Sequence, residues 1–374
     1  MTNSSAGAVL RAVLALGSAP RSIVAKRAGV SPATVTCQSR ALLDAGLLVE
    51  LPETAGPGGV GRPHSPIALD SAGNAVLAVH IAAAQSTVAV VDIAGTVLHS
   101  EQLPHRTLAP YDILDTAIER VGAVADGLAD GIRVRGLGVA IGGRVDTTTG
   151  SVVDHSYLRW RDIPVREYFA TRTGLPVSVD SHTRALMHAE QLYGHLRATT
   201  SSIVLFVGNV IDAAFAVHGR VHYGPHSGAG SVARLLSATA GPTLLADLGD
   251  QALLSRAGGN HATVPDLIEA AAAGGPERAL FLERATAMGA VAAALIDLLD
   301  PEALVLVDRA LGRVAGLRAA YDEAVRAHSV IGADPAEVIV ESAFPGRVLV
   351  MSAAAVVLHE LFRDPLASVS AQAV

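Results

Sequence analysis

The sequence predicts an α/β protein in which an N-terminal winged helix-turn-helix precedes a body of two similar lobes. Three observations support this fold class. Short helical segments within residues 6–51 are followed by a Gly- and Pro-rich stretch at residues 52–66, which must form a loop. From about residue 75, β-branched runs alternate with helical periods. This alternation occurs twice, each time opening with a hairpin, as in mixed sheets packed against helices.

Composition favours a soluble, folded protein. Half of the 374 residues are hydrophobic and 17% are charged, which is enough apolar material for more than one core. No uninterrupted apolar run reaches the roughly 18 residues of a membrane span, and the first residues lack a signal-peptide pattern. We therefore expect a cytoplasmic protein with no membrane partner. The single cysteine, Cys37, excludes an internal disulfide framework and a multi-cysteine zinc site.

Charge is distributed unevenly along the chain. Residues 1–70 hold six basic and four acidic side chains, whereas the whole chain has a net charge of −7. A basic N-terminal module on an acidic body suits a polyanionic partner that is bound at one end of the protein.

The helix-turn-helix is indicated by small and turn-forming residues at the required spacing. Ala25 allows two helices to approach closely, Gly29 supplies the turn, and Val35 anchors the second helix. Ser31 and Pro32 are favourable at the N-cap and the first helical position, so they predict where the second helix begins. A second helix of this kind lies in the major groove of DNA and contacts base edges. The residues of this module predicted to contact DNA are Arg21, Ser31, Ala33, Thr34, Thr36, Cys37 and Arg40.

A wing is predicted directly after the second helix. Residues 47–51 and 65–69 can pair as its two strands, and the tip contains Gly61, Arg62 and Pro63. An arginine on a flexible tip can enter a narrow minor groove, which attracts it electrostatically. The alternative is that residues 52–66 form a flexible linker.

The order of these parts resembles the ROK family of repressors, uncharacterised frames and kinases. Its regulators join a winged helix-turn-helix with a Gly-Arg-Pro wing tip to a sugar-kinase-like body of the actin/hexokinase type. The most specific stretch is residues 136–153, which begins Gly-Leu-Gly-Val-Ala-Ile-Gly-Gly-Arg. Residues 158–165 (Leu-Arg-Trp-Arg-Asp-Ile-Pro-Val) and 174–179 (Gly-Leu-Pro-Val-Ser-Val) continue the similarity.

The resemblance also implies that the phosphate-binding residues of the kinases have been lost. The family's first phosphate loop, Asp-x-Gly-Gly-Thr, falls on residues 80–84, which are His-Ile-Ala-Ala-Ala. The second loop, Gly-Thr-Gly-x-Gly, falls on residues 208–212 and places Asp212 where a phosphate would lie. The late nucleotide glycines fall on residues 307–309, which are Val-Asp-Arg. Glycines let backbone amides approach a phosphate, so these changes remove the means of holding ATP.

Catalytic, sugar-contacting and zinc-binding positions have changed as well. The base of the kinases, the Asp of Glu-Asn-Asp, falls on His182 in the triplet Asp180-Ser181-His182. Family residues that contact sugar hydroxyls fall on Tyr157, Ser231 and Arg234, and residues 240–258 contain no cysteine for the family's zinc site. The resemblance therefore implies no kinase activity, no cofactor and no metal.

The resemblance further implies three domains. Residues 1–70 would form the winged helix-turn-helix, residues 71–182 the first lobe, completed by a C-terminal helix at 347–363, and residues 183–346 the second lobe. A cleft between the lobes would be lined by Tyr157, Asp180, His182, Ser231 and Arg234. His182 and Arg234 would then hold a small anionic or sugar-like effector. The alternative is that these polar groups only satisfy one another.

The sequence thus predicts a DNA-binding transcription regulator, with repression favoured over activation. A homodimer or dimer of dimers would bind a palindromic double-stranded operator, because two symmetric modules contact two half-sites. Two alternatives remain at this point: a body that only assembles the DNA-binding modules, and an ATP-dependent sugar kinase with an attached regulatory module.

Overall fold

The N-terminal part of the computed structural model contains three helices and a small sheet; the structure describes residues 4–52, 65–234, 243–259 and 261–370. Its elements are α1 (Ser5–Leu16), β1 (Ser18–Ala19), α2 (Arg21–Ala28), α3 (Pro32–Asp44), β2 (Leu48–Glu50) and β3 (Ile67–Leu69). Strand β3 pairs antiparallel with both β1 and β2, and Leu48 lies opposite Leu69. This is the predicted arrangement of two helices followed by a strand pair.

Local sequence explains where the helices of this module begin and end. Ser31 caps α3 by accepting a hydrogen bond from the Thr34 amide, and Pro32 occupies the first turn, where its missing N–H costs nothing. Gly29 ends α2 in the left-handed conformation (φ 67°), which glycine adopts without steric cost. The inward side chains of the three helices are fully buried and include Val9, Leu10, Val24, Val35 and Leu42.

The rest of the chain alternates strands and helices. In order, these elements are β4 (Asn74–Ile81), β5 (Gln85–Asp92), β6 (Val97–Pro104), α4 (Pro110–Asp126), β7 (Arg133–Ile141), β8 (Arg144–Asp146), β9 (Ser151–His155), β10 (Trp160–Ile163), α5 (Val165–Thr173), β11 (Val177–Ser181), α6 (His182–Tyr193), β12 (Ser202–Val207), β13 (Ile211–Val217), β14 (Arg220–Val221), α7 (Leu244–Leu248), α8 (Asp250–Arg256), α9 (Val264–Ala272), α10 (Glu277–Leu299), β15 (Ala303–Asp308), α11 (Leu317–His328), α12 (Pro335–Val338), β16 (Ile339–Glu341), α13 (Val348–Arg363) and α14 (Pro365–Ser370).

Two five-stranded sheets have the same connectivity. Their strand orders are β11-β7-β4-β5-β6 and β14-β13-β12-β15-β16, so each has an antiparallel meander with two later strands added beside its first strand. In the second sheet β12 pairs antiparallel with β13 and parallel with β15, which in turn pairs parallel with β16. These mixed sheets confirm the predicted α/β class with two similar halves.

The described chain divides into two compact units. The first takes in residues 1–140, 164–179 and 349–374, and the second takes in residues 141–163 and 180–348. The helix-turn-helix therefore belongs to the same unit as the first sheet and α13. The three-domain division, with boundaries near residues 70, 182 and 346, stays a prediction.

Helix α10 is the most apolar long element among the described residues. It has 23 residues, and by length and composition alone it could cross a membrane. However, 56% of its apolar 18-residue stretch is buried within the protein. Its Arg284 is 1% exposed and forms ion pairs with Asp250 and Asp308. An element with a paired, buried arginine and buried apolar sides fits the core helix of the second unit.

Candidate nucleic-acid interface and ligand site

The outer face of α3 is the first candidate site. Ala33, Thr36, Cys37 and Arg40 are exposed, whereas Val35 on the opposite side is fully buried. The spacing of three and four residues places the four exposed side chains in one row along the helix. A row of small, hydroxyl and cationic groups with a buried opposite side can enter a DNA groove without disturbing the core of the module.

The hydroxyl groups on this helix already make local hydrogen bonds. Ser31 Oγ lies 2.8 Å from Thr34 Oγ1, and it accepts a bond from the Thr34 amide at 3.1 Å. Thr36 Oγ1 donates to the carbonyl of Pro32 at 3.0 Å. A hydroxyl that donates within its helix keeps its lone pairs, so Thr36 is best suited to accept from a donor on a base edge.

Basic side chains flank this row, and sequence reasoning found only some of them. Arg21 pairs with Glu50 at 2.5 Å and so joins α2 to the wing strand β2. Lys26 and Arg27 are exposed on the last turn of α2 and were missed. The clue to both was their place directly before the turn glycine, where the helix end faces the start of α3. The predicted wing-tip residues Gly61, Arg62 and Pro63 lie outside the described residues.

The second candidate site is centred on Asp180 and Arg184 in the second unit. Both side chains are almost fully buried, and Arg184 Nε donates to Asp180 Oδ1 at 2.8 Å. The other guanidinium nitrogens donate to the carbonyls of Ser227 and Val145. Tyr223 also donates to Asp180, at 3.2 Å. Arg184 was missed at the sequence level; it lies four residues after Asp180, across the junction of β11 and α6.

The other predicted ligand residues are placed as follows. His182 is buried at the first position of α6, with its ring centroid 4.4 Å from that of Phe206. Tyr157 is half-buried in the turn between β9 and β10, and Ser231 is exposed. Arg234 ends a short 3-10 helix, but its side chain lies outside the described part of the chain. Asp180, near the end of β11, and His182, at the start of α6, thus both lie at the junction of these two elements.

A buried ionic network includes Asp308, which lies at the predicted position of the late nucleotide glycines. Arg284 donates to Asp250 and to Asp308, each at 2.8 Å, and Tyr321 donates to the second oxygen of Asp308 at 2.9 Å. The Gly208 amide donates to the carbonyl of Val210, and the Gly208 carbonyl accepts from the Asp250 amide. The Asp308 carboxylate and the Gly208 amide and carbonyl are therefore used within the protein.

No cluster of three or more His, Cys, Asp or Glu side chains suited to a metal ion occurs in residues 4–52, 65–234, 243–259 and 261–370. The expectation that the chain uses no metal and no cofactor stays a prediction.

Asp212 lies on β13 directly opposite Phe206, at the position of the second phosphate loop. Burial raises the pKa of its carboxyl group to about 7, although the nearby Arg184 charge opposes this rise. The folded protein therefore binds a proton that the unfolded chain releases near pH 4. This linkage stabilises the fold at low pH, and the stabilisation is lost as the pH rises through 7.

We accordingly expect Asp212→Asn to raise the free energy of unfolding above pH 7 by about 4 kcal/mol, with little effect below pH 4. Denaturant unfolding at several pH values measures this difference. Asp247→Asn, at an exposed position on α7, is the control and should keep the wild-type profile. A variant of Asp212 with the wild-type pH dependence would show that this carboxyl group is ionised normally.

Comparison with known proteins adds to this geometry. The model of the ROK family matches residues 76–340. The transcriptional regulator Rv0485 of Mycobacterium tuberculosis is 33% identical over 392 residues, which cover 98% of this chain and 87% of that protein. The DNA-binding transcriptional repressor Mlc of Escherichia coli is 24% identical over 236 residues, or 62% of this chain and 57% of Mlc.

Solved structures give the same fold. A ROK family transcriptional regulator, a homologue of Escherichia coli Mlc, has a TM-score of 0.78 at 22% identity, and 96% of each chain is covered. A ROK family glucokinase from Streptomyces griseus, in complex with glucose and AMPPNP, has a TM-score of 0.62 at 19% identity. That match covers 75% of this chain and 98% of the glucokinase. These matches confirm the predicted winged helix-turn-helix on a kinase-like body.

Proposed function

The chain belongs to the ROK family and is one of its transcriptional regulators, and we propose that it recognises its operator with the exposed row of α3. The observation that supports this most directly is the two-sided character of that helix. Val35 and Leu42 are fully buried, whereas Ala33, Thr36 and Arg40 are exposed. A helix whose apolar side packs into the core of the module can present its outer side to the major groove.

We further propose that two copies of the chain bind a palindromic operator in the cytoplasm. One module of this size covers only a few base pairs, and two modules related by a twofold axis contact two half-sites on one face of the duplex. The exposed charges of Lys26 and Arg27 suit phosphates that flank each half-site. Binding should therefore weaken steeply as salt increases.

The body, in our proposal, does not transfer phosphate from ATP. The Arg284 network and the internal bonds of Gly208 support this, because they use the groups that would otherwise meet a nucleotide. Incubation of the purified protein with ATP and a panel of hexoses should yield no sugar phosphate.

A body that senses an effector and one that only assembles the modules remain as alternatives. A thermal-shift screen with sugars and sugar phosphates separates them, since a ligand at 100 times its Kd adds about 2.7 kcal/mol of stability.

The proposal predicts the effect of changing α3. Arg40→Ala should weaken binding about tenfold and lower the slope of affinity against salt by about one phosphate contact, whatever the sequence of the duplex. Thr36→Ala should weaken binding to the preferred duplex more than to unrelated DNA, because it removes a base contact. Fluorescence anisotropy measures both, with duplexes enriched from a random library by the wild-type protein.

Arg120→Ala is the matched control, because Arg120 pairs with Glu101 on the body rather than on the helix-turn-helix. This variant should bind like the wild type. If both α3 variants also bind like the wild type, the assignment of DNA recognition to the exposed row of α3 is wrong.

A further inference from the structure

The C-terminal end of α3 is held by arginines from a strand far away in sequence. Arg135 NH2 donates to the carbonyl of Ala45 at 2.9 Å, and Arg133 NH2 donates to the carbonyl of Gly46 at 2.9 Å. Both arginines lie on β7, a strand of the five-stranded sheet of the first unit. The last carbonyls of a helix have no partner within the helix and form the negative end of its dipole, so two guanidinium groups are favourable there.

Two further side chains complete this contact, which we call the arginine clamp (Asp70, Asn74, Arg133 and Arg135). Asn74 donates to the carbonyl of Gly46 at 2.8 Å and accepts from Arg135 Nε at 2.6 Å. Asp70 accepts from Arg133 at 2.8 Å. Three bonds of the clamp reach the carbonyls of Ala45 and Gly46 directly after α3. The bonds from Arg135 to Asn74 and from Arg133 to Asp70 hold the two arginines in place.

Burying the guanidinium group of Arg135 carries a cost in free energy. It is 6% exposed, and burial together with the neighbouring Arg133 charge lowers the pKa of its guanidinium group. Burying a cation is unfavourable unless its donors are used, and here they meet Asn74 and the helix end. A helix that needed only capping could use water or a surface lysine instead. The buried guanidinium therefore points to a fixed connection rather than to simple capping.

Gly46 allows the segment after α3 and the arginines of β7 to approach closely. Its φ of +63° is favourable for glycine, and a Cβ atom at this position would overlap the guanidinium of Arg133. The turn directly after α3 thus contains a residue without a side chain, and Arg133 occupies the space that a side chain would fill.

We propose that Arg135 is a positioning residue for DNA recognition: it sets the direction in which α3 leaves the first sheet, so that the module and that sheet move as one body. The proposal rests on the proposed function of α3 in binding the operator. A regulator with two modules needs each recognition helix at a fixed angle, because half-site spacing is a geometric requirement. The clamp supplies that angle from the body instead of from the module alone.

The first test measures the position of the module without DNA. Spin labels are attached to Cys37, the only cysteine of the chain, and to the cysteine of Glu119→Cys on the exposed side of α4. The labelled chain is mixed with an excess of unlabelled chain, so that distances within one copy dominate, and we expect one narrow distance distribution in the otherwise wild-type protein. Arg135→Met keeps the apolar stem and removes the donors, and it should at least double the width of the distribution. Arg135→Lys keeps the charge and should give an intermediate width.

The second test separates positioning from folding. The duplex enriched by the wild-type protein is used whole and cut at its centre of symmetry into single half-sites. Arg135→Met should bind the half-site within twofold of the wild type and the whole duplex at least tenfold more weakly. It should also discriminate less against duplexes whose centre is lengthened by one or two base pairs. Arg120→Met, which removes another paired arginine of the same unit, should leave both affinities and the distance distribution unchanged.

The results distinguish a positioning role of Arg135 from a purely structural one. A narrow distribution in Arg135→Met overturns the proposal, and so does an equal loss of affinity for half-site and whole duplex, since that loss indicates a purely structural role. If the wild-type protein enriches no duplex at all, the proposed function fails, while the spin-label distances still show whether the clamp holds the module.

Discussion

Replacing Arg284 with methionine should lower the free energy of unfolding by about 3–5 kcal/mol, because the change leaves two buried carboxylates without their cation. Arg284 is 1% exposed and pairs with both Asp250 and Asp308. Burial already raises the pKa of the Asp250 carboxyl, and the guanidinium opposes that rise. Without the guanidinium, the Asp250 carboxyl should keep its proton to higher pH, because the charge that lowers its pKa is gone. The variant should therefore be less destabilised at pH 5 than at pH 8, which chemical denaturation at the two pH values can measure.

The control for this prediction is a surface pair of the same type. Arg256 lies beside Glu283 on the second unit, with both side chains substantially exposed, so Arg256→Met should cost less than about 1 kcal/mol. The triple variant Arg284→Met, Asp250→Asn, Asp308→Asn should recover much of the lost stability, since it removes the uncompensated charges together. If Arg284→Met lowered the free energy of unfolding no more than Arg256→Met does, water would have to reach the ion pairs of Arg284.

The features that sequence predicted well are those encoded by neighbouring residues. The beginning of α3 follows from Ser31 and Pro32, whose capping roles depend only on the local backbone. The paired halves of the body follow from runs of β-branched residues between turn residues, and both sheets were found. The loss of the phosphate loops, which the family resemblance implies from replaced glycines, stays a prediction.

The features that sequence could not predict are contacts between distant polar residues. Arg135 lies 90 residues from Ala45, and Arg184 lies 43 residues from Ser227. An arginine on a strand gives no local indication that its partner is the end of a helix in another module. Its partners are fixed by tertiary packing, so the arginine clamp and the Arg184 contacts could be recognised only once the sheets were in place. Of the residues predicted for the wing tip, none is tested by the described chain.

Replacing Gly7 with alanine should lower the free energy of unfolding by about 3 kcal/mol, although alanine is the better helix former. Gly7 lies inside α1, where that helix meets the end of α13. A Cβ atom there would overlap the carbonyl oxygen of Arg363 and lie 2.7 Å from that of Phe362. These are backbone atoms and cannot rotate away. The same carbonyls accept bonds from the Ser4 amide and from Arg11 Nε, so moving them away from α1 also breaks these bonds between α1 and α13.

The matched control is Gly122→Ala on α4, where nothing lies within 4 Å of the added Cβ atom. At that exposed helical position the same substitution should stabilise the protein by about 0.5–1 kcal/mol, because only the helix propensity changes. Thermal and denaturant unfolding of the two variants compare the same chemical change with and without a close neighbour. If Gly7→Ala were as stabilising as Gly122→Ala, α1 could not be packed against the carboxyl end of α13.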